Sequence, residues 1–282
     1  MFTPGNGPIT RVAAIHDLSG FGRCSLAVVI PALSAIGVQC CALPTVYLST
    51  HTAFSNFTFL DLTEEMIKTV KHWKVLNLRF DALYSGFLGN ENQIDVVAGI
   101  FDNFRSDNTL VIVDPVMGDN GRPYKTYTPG MCRRMRELVE KADLITPNIT
   151  EASILLGKSY ESVPVKPEGF KSWLEELSGG GKRSVVITGV HPTHCRIGQV
   201  YFDRKSGDFG FIERDFISKS FPGTGELFAS VTVGALMHGK PLADAVDLAA
   251  EFVRECCEMS FNDGTPPIEG VRFESLLYKL KL

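Results

Sequence analysis

The chain reads Leu110-Val-Ile-Val-Asp114, then a helical pattern over residues 129–141, and then Asp143-Leu-Ile-Thr146. Two short apolar runs separated by an amphipathic helix predict a strand–helix–strand unit. The strands of such a unit are parallel and their crossover is right-handed. Because the carboxyl ends of parallel strands meet at one edge, where α/β proteins bind ligands, we expect the strand ends at Asp114 and Thr146 to lie on the ligand-binding edge.

The same alternation extends in both directions along the chain. Predicted strands cover residues 12–16, 38–43, 82–85, 110–114, 143–146 and 185–188, and predicted helices cover 25–36, 63–73, 92–104, 129–141 and 149–156. After Val190 the pattern changes to a hairpin, 198–203 with 209–213, followed by helices at about 225–237 and 242–259. This order predicts an α/β fold with a mostly parallel central sheet flanked by helices, as one domain over residues 1–282.

The composition is that of a soluble globular protein, with 44% hydrophobic and 21% charged residues. A net charge of −4 argues against nucleic acid or an anionic membrane as the main partner. Seven cysteines without a CxxC pair indicate reduced thiols. Residues 1–11 lack a secretory signal and no apolar run approaches the length of a membrane helix, so we predict a cytoplasmic protein.

A glycine turn stands before one of the last helices, in Ser220-Phe-Pro-Gly-Thr-Gly-Glu-Leu-Phe-Ala-Ser230. Gly223, Thr224 and Gly225 would let backbone N–H groups converge on an anion, which the helix dipole also favours. Glu226 follows and could accept a proton from an attacking hydroxyl. An ordinary turn with a capping glutamate explains the same residues, so the turn alone leaves both interpretations open.

Residues at the ends of two predicted strands could supply oxygen ligands to a metal ion. Asp114 ends one apolar run, and Asn148 and Glu151 follow the next at a spacing that puts them on one side of a first helical turn. Carboxylates of Asp114 and Glu151 suit Mg²⁺ shared with substrate phosphates. Helix capping by Asn148 and Glu151 is the alternative. Three such motifs in this order favour a phosphate-transfer site.

These motifs resemble the ribokinase superfamily, and within it the vitamin B6 kinases, or pyridoxal kinases. The matching segments are Asp114-Pro-Val-Met-Gly-Asp119, Thr146-Pro-Asn-Ile-Thr-Glu151, Val186-Ile-Thr-Gly189, Gly223-Thr-Gly-Glu-Leu-Phe228 and Thr45-Val-Tyr-Leu-Ser-Thr-His-Thr52. The resemblance extends from about residue 12 to residue 240 and implies a ribokinase-like three-layer sandwich. It also implies an ATP- and Mg²⁺-dependent kinase that phosphorylates the 5′-hydroxymethyl group of pyridoxal, pyridoxine or pyridoxamine.

The resemblance assigns roles by position. Glu226 stands where the family has its catalytic aspartate, and Gly223, Thr224 and Gly225 would form the anion hole. ATP phosphates and their metal would be held by Asn148, Glu151, Thr188, Gly189 and Asp119, with Asp114 and Glu151 on Mg²⁺. The vitamin would be contacted by Asp17, Ser19, Thr45, Tyr47, His51, Thr52 and Phe87. Residues 117–128 would form a lid, and residues near 56–60 would contribute to a homodimer; a monovalent cation is left open.

Two departures from the family keep alternatives open. Glu226 is longer than aspartate by one methylene, so a slow enzyme or a non-catalytic ligand-binding homologue remains a hypothesis. The segment Asp17-Leu-Ser-Gly20 is closer to the hydroxymethylpyrimidine kinases of thiamine synthesis. A metal site at residues 191–195 is disfavoured, because no second ligand pair accompanies it at a zinc-like spacing.

Overall fold

A computed structural model describes residues 9–282, and its main feature is a nine-stranded sheet. The strands are β1 Arg11–Ser19, β2 Gln39–Leu48, β3 Phe59–Asp61, β4 Ala82–Ser85, β5 Leu110–Val113, β6 Gly118–Asp119, β7 Arg122–Pro123, β8 Leu144–Ile145, β9 Ser184–Thr193, β10 Arg196–Phe202 and β11 Phe209–Asp215. The helices are α1 Leu26–Ala35, α2 Thr63–Val75, α3 Glu91–Phe104, α4 Pro129–Val139, α5 Ile149–Leu156, α6 Lys171–Leu177, α7 Thr224–Met237 and α8 Leu242–Asn262.

The sheet order is β11-β10-β9-β8-β5-β4-β1-β2-β3, while β6 and β7 form a separate hairpin. Strands β2, β1, β4, β5, β8 and β9 are mutually parallel, and β3, β10 and β11 are antiparallel additions at the two edges. The chain leaves β1 first toward β2 and later returns to its other side as β4. This reversal creates a crevice outside the carboxyl ends of β1 and β4, where α/β proteins commonly bind ligands.

Alternate side chains of the sheet pack against helices on opposite faces. Ala13 and Ile15 of β1 belong to the hydrophobic core shared with α2 to α6. Val12 and Ala14 belong to the core shared with α1, α7 and α8. Because both faces are covered, the parallel strands are apolar on both sides, which is the pattern seen in the sequence. The predicted three-layer α/β architecture is confirmed.

The differences from the predicted elements lie mainly at boundaries and edges. The strand predicted at 143–146 is reduced to Leu144–Ile145, whereas β1, β2 and β9 are longer than predicted. Edge strand β3 was not predicted as such, because it has three residues, all exposed. The prediction of no secretory signal in residues 1–11 falls largely outside the described residues. Across residues 9–282, no helix has both the length and the apolarity needed to cross a membrane.

The predicted lid, residues 117–128, contains a hairpin rather than an irregular loop. Strands β6 and β7 pair through Gly118–Pro123 and Asp119–Arg122. Asn120 and Gly121 connect them with φ of 52° and 77°. Positive φ at both positions is typical of an Asn-Gly turn of type I′, so this hairpin could have been predicted from the sequence.

Candidate active site

A cavity of about 610 Å³ opens at the carboxyl edge of the parallel strands. Asp17 at the end of β1, Phe87 after β4, Asp114 after β5, Thr146 after β8 and Thr188 in β9 all line it. These residues come from five segments that are far apart in the chain. They meet because parallel strands end at the same edge, as the sequence predicted for Asp114 and Thr146.

The glycine turn forms one wall of this cavity, which Gly223, Thr224, Gly225 and Glu226 all line. Gly223 precedes α7 with φ of 83°, and a Cβ atom there would lie 2.0 Å from the carbonyl oxygen of Arg23. Thr224 begins the helix, so the free N–H groups of the first turn are available to an anion. The turn therefore has the geometry that phosphate binding requires.

Four carboxyl groups that line the cavity have raised pKa values, those of Asp17, Asp114, Glu151 and Glu226. Burial and then the charge of Glu226 raise the pKa of Asp114 to about 7. Burial raises the pKa of Asp17 to about 7, and the charge of Glu226 adds to this shift. Burial also raises the pKa of Glu226 itself. The cavity thus concentrates acidic groups at one end, where a cation would relieve their mutual repulsion.

The capping interpretation of Asn148 and Glu151 is realised in the structure. The Asn148 side chain accepts a hydrogen bond from the Glu151 N–H at 2.9 Å, and Glu151 Oε2 accepts one from the Asn148 N–H at 2.8 Å. Glu151 Oε1 also accepts a bond from the Met117 N–H at 3.1 Å. Burial and the charge of Asp114 raise the pKa of Glu151 well above its ordinary value. Each carboxylate oxygen of Glu151 therefore accepts a hydrogen bond from a backbone N–H group.

The metal prediction can be compared with this geometry. Within residues 9–282, no group of three or more His, Cys, Asp or Glu side chains is arranged to hold a metal ion. Asp114 accepts one hydrogen bond from Thr146 Oγ1 at 3.0 Å. A cation beside Asp114 would therefore complete its shell with water and phosphate oxygens, which is the usual behaviour of Mg²⁺.

The β6–β7 hairpin, called the flap below, is attached to the start of α5. The Gly121 N–H donates to Thr150 Oγ1 at 2.9 Å, and Asn148 Nδ2 donates to the Gly118 carbonyl oxygen at 2.8 Å. Asp119 of the flap lines the cavity. The capping residues thus also fix the flap over the site.

Thr188 and Gly189, which were predicted to contact the ATP phosphates, lie beside Asn148. Thr188 forms an isolated parallel bridge with Asn148, and its N–H donates to the Pro147 carbonyl oxygen at 3.0 Å. Both Thr188 and Gly189 line the cavity. The structure therefore brings together the predicted cofactor-binding residues from three separate motifs.

On the other side of the cavity, four predicted substrate residues line the wall: Asp17, His51, Thr52 and Phe87. Nδ1 of His51 accepts a hydrogen bond from the Ala53 N–H at 3.3 Å. Its Nε2 therefore carries the proton and donates to the Ile268 carbonyl oxygen at 2.7 Å. Because both ring nitrogens are engaged, His51 can offer a substrate its ring surface rather than a hydrogen bond.

Three other predicted substrate residues, Ser19, Thr45 and Tyr47, lie outside the cavity wall. Thr45 is buried and its hydroxyl donates to the Phe87 carbonyl oxygen at 2.9 Å. Ser19 is buried and its hydroxyl lies 3.5 Å from the Asp17 carboxylate. Tyr47 is 43% exposed, because alternation along β2 turns it away from the core. None of the three lines the cavity, but Ser19 and Thr45 contact the lining residues Asp17 and Phe87.

The sequence reasoning missed several residues of the cavity. Cys24 and Ser25 line its acidic end. The opposite end is lined mainly by apolar side chains from the start of α7 and from α8, together with two cations. These residues are Phe221, Phe228, Ala250, Val253, Cys257, Lys219 and Arg254. Phe221 and Phe228 stand within the glycine-turn segment quoted above, whereas no local motif marks the residues of α8, because only the packing of α7 and α8 brings them to the cavity.

The residues of the disfavoured metal site belong to the end of β9 and to the turn that connects it to β10. His191 Nδ1 lies 3.2 Å from the Arg196 carbonyl oxygen, and its ring packs edge-on against Phe216 at 4.7 Å. Cys195 is exposed. The geometry agrees with a hairpin turn at the rim of the cavity.

A mostly parallel sheet with a glycine turn before a helix and a buried carboxylate at its carboxyl edge is the arrangement of a ribokinase-like small-molecule kinase. The chain belongs to the phosphomethylpyrimidine kinase family, whose model matches residues 30–269. It is similar to the crystal structure of a proposed phosphomethylpyrimidine kinase from Bacteroides thetaiotaomicron, in a form with pyridoxal. The two chains are 40% identical, 96% of each is covered, and the TM-score is 0.92.

Two further relatives represent the two activities that the sequence left open. Pyridoxal kinase from Lactobacillus plantarum is 28% identical, with 97% of both chains covered and a TM-score of 0.88. The hydroxymethylpyrimidine/phosphomethylpyrimidine kinase of Bacillus subtilis is 31% identical, over 67% of this chain and 68% of that protein. The family is therefore established, and the substrate is the remaining question.

Proposed function

We propose that this protein is an ATP- and Mg²⁺-dependent kinase that phosphorylates the 5′-hydroxymethyl group of pyridoxal, pyridoxine or pyridoxamine. The observation that carries this proposal is the position of Glu226 beside the Gly223–Gly225 turn in one cavity. A proton acceptor and an anion-binding turn are the two elements that phosphoryl transfer to an alcohol needs from a protein. The similarity to a structure solved with pyridoxal supports the choice of substrate.

In the proposed reaction, Glu226 accepts the proton of the substrate hydroxyl as that oxygen attacks the terminal phosphorus of ATP, and the bond from this phosphorus to the bridging oxygen breaks to release ADP. Backbone N–H groups of the turn stabilise the charge on the transferred phosphoryl group. The vitamin ring lies against Phe87 and His51, and Asp17 is available to a polar group of the ring. The flap excludes water from the reacting groups.

We further propose that the nucleotide extends from the turn toward the apolar end of the cavity. Phe221, Val253 and Cys257 offer an apolar surface for the base, and Thr188 and Gly189 lie on the path of the phosphates. Lys219, whose ammonium group is 3.3 Å from the Thr265 carbonyl oxygen, is close enough to balance phosphate charge. Phosphates and vitamin would then meet at Glu226.

The donor set fits Mg²⁺. Asp114 would hold the ion together with water and phosphate oxygens, and Glu151 would support it through the backbone of the flap. The ion supplies neutralisation of the phosphate charge. Whether a monovalent cation assists stays a prediction without a residue assigned to it.

The second candidate is a hydroxymethylpyrimidine kinase, favoured by the Bacillus subtilis relative and by Asp17 at the ring side of the cavity. We expect kcat/KM for pyridoxal to exceed that for hydroxymethylpyrimidine by about tenfold or more, because ring contacts to a non-native substrate are lost. Purified protein with ATP and Mg²⁺ should be assayed on all three B6 vitamers and on hydroxymethylpyrimidine in parallel. A preference for the pyrimidine would replace the first proposal by the second.

We also propose a cytoplasmic homodimer in which residues 1–282 act as one kinase domain. The apolar side chains near edge strand β3 support the dimer, since Tyr47, Phe59 and Leu60 are 43%, 41% and 57% exposed. An open strand edge with apolar side chains favours pairing with a second chain.

Replacing Leu60 by lysine should therefore shift the protein from dimer to monomer, because a charge on this edge opposes pairing. Light scattering after size exclusion measures the mass, and thermal unfolding checks that the exposed substitution leaves the fold intact. Val75→Lys, at a residue that is 76% exposed on α2, is the matched control. A wild-type monomer, or an unchanged mass for Leu60→Lys, contradicts the proposed interface.

A further inference from the structure

A short segment near the C-terminus contacts three loops of the active site. We call residues 267–271 the C-terminal brace. Its Ile268 carbonyl oxygen accepts the hydrogen bond from His51, at 2.7 Å. The Glu269 carbonyl oxygen accepts one from the Arg23 N–H at 3.0 Å, and the Val271 N–H donates to the Pro222 carbonyl oxygen at 3.1 Å. The brace thus connects the substrate loop, the loop after β1 and the glycine turn.

Arg23 is packed between two glycines, one in the glycine turn and one in the brace. A Cβ atom on Gly223 would lie 2.0 Å from the Arg23 carbonyl oxygen, and one on Gly270 would lie 2.7 Å from the same atom. Gly270 has φ of 84° and ψ of 169°, a region that only glycine adopts readily. The backbone of Arg23 is therefore held closely from both sides.

Two residues further on, Ser25 has an unusual backbone conformation. Its φ is 50° and its ψ is −136°, which is strained for a residue with a side chain. Ser25 is buried and lines the same cavity as Glu226, and hydrogen bonding from the Ser25 backbone partly offsets the rise that burial causes in the pKa of Glu226. A strained conformation persists only where the surrounding structure enforces it. Arg23, packed between Gly223 and Gly270, lies two residues before this strained position.

We propose that the C-terminal brace positions the base: it holds Arg23 against the glycine turn and so keeps the Ser25 N–H directed at Glu226. Gly270 and Ser25 are then positioning residues, acting on Glu226 rather than on the substrate. The proposal rests on the proposed function, in which Glu226 is the base. It explains how a glutamate, with one more rotatable bond than aspartate, is kept in a single orientation.

The test compares two glycines of the C-terminal region. Gly270→Ala should lower kcat by about 10- to 100-fold with KM nearly unchanged, because the base is misplaced while the binding surfaces remain. Gly264→Ala is the matched control: Gly264 also has positive φ, 65°, but a Cβ there meets no atom of the described residues within 4 Å. Equal losses in the two variants, or a change in KM alone, would overturn the proposal.

A double variant separates positioning from general stability. Glycine at position 25 adopts the required backbone conformation without support from neighbouring residues. The kcat of the double variant Ser25→Gly with Gly270→Ala should therefore be at least about threefold higher than that of Gly270→Ala alone. If the kcat loss in the double variant equals the product of the losses in the two single variants, the proposed role of the brace is contradicted. Should Gly270→Ala fail to fold, Arg23→Ala replaces it, because it removes the side-chain bonds to the Glu269 carbonyl oxygen and to Glu274 without a clash.

The brace can also be tested if the proposed kinase function proves wrong. If wild-type protein phosphorylates no hydroxymethyl substrate, amide hydrogen exchange at residues 25–28 measures whether the brace stabilises this segment. Exchange there should be faster in Gly270→Ala than in Gly264→Ala, since the brace holds this segment. Equal exchange in the two variants would refute the brace whatever the activity.

Discussion

Glu226→Gln should reduce kcat by about 10³-fold while KM changes by less than about threefold. Glutamine has nearly the same shape as glutamate but cannot accept the proton of the substrate hydroxyl. Because Glu226 lines the cavity beside the anion-binding turn, its loss acts on the transition state rather than on substrate binding. Steady-state kinetics with pyridoxal and ATP measure both parameters.

Controls for this variant distinguish an active enzyme from an impaired one. Glu168→Gln, at an exposed residue outside the cavity wall, should leave kcat unchanged. Glu226→Asp should lower kcat, since the carboxylate is withdrawn by about 1 Å. A large gain in Glu226→Asp would instead show that the natural chain is catalytically impaired, and an active Glu226→Gln would refute the assignment of the base.

The same residue gives the direction of a pH effect. Burial raises the pKa of Glu226 above its ordinary value of 4.5. The protonated carboxyl cannot accept a proton, so kcat should fall as the pH decreases through this raised pKa, at a higher pH than for a free glutamate. A pH–rate profile measures this acidic limb, which should disappear in Glu226→Gln.

Gly223→Ala should reduce kcat by about 10²-fold or more and also lower the melting temperature. The added Cβ would lie 2.0 Å from the Arg23 carbonyl oxygen, at a φ of 83° that disfavours side chains. The turn must therefore move, and its N–H groups lose their alignment with the phosphoryl group. Kinetics and thermal unfolding measure the two effects.

Gly239→Ala is the matched control for this variant. Gly239 lies just after the other end of α7 with φ of 77°, and in the described part of the chain a Cβ there has no neighbour within 4 Å. It should cost some stability but little kcat. Full activity in Gly223→Ala, or an equal loss in Gly239→Ala, would show that the turn does not bind the phosphoryl group.

Much of the fold followed from local pattern. Apolar runs such as residues 110–114 and amphipathic segments such as residues 129–141 predicted the order of strands and helices, because burial on both faces of a sheet imposes that periodicity. The motifs at Asp114, Asn148 and Gly223 were recognisable for a similar reason. Each is a short segment in which a strand end or a helix start determines the position of one polar group.

Other properties depend on residues that are distant in the chain. The Met117 N–H donates to one oxygen of Glu151 and the Asn148 N–H to the other, and the contact with Met117, 34 positions away, is not evident from the sequence around Glu151. Tyr47 lies outside the cavity wall because it points away from the core, and the Thr45 hydroxyl lies behind the wall, where it donates to the Phe87 carbonyl oxygen. Alternation of side chains was readable in advance, but the location of the cavity relative to the strand faces was not.

The sequence alone was sufficient for the α/β class, the carboxyl edge that carries the site and the choice of Glu226 as candidate base, since these depend on periodicity and on motifs of a few residues. Tertiary structure alone revealed the strained Ser25 and the brace that contacts it through Arg23. The contact between Arg23 and Glu269 joins residues 246 positions apart. Such contacts arise from packing, which leaves no signature in any one segment.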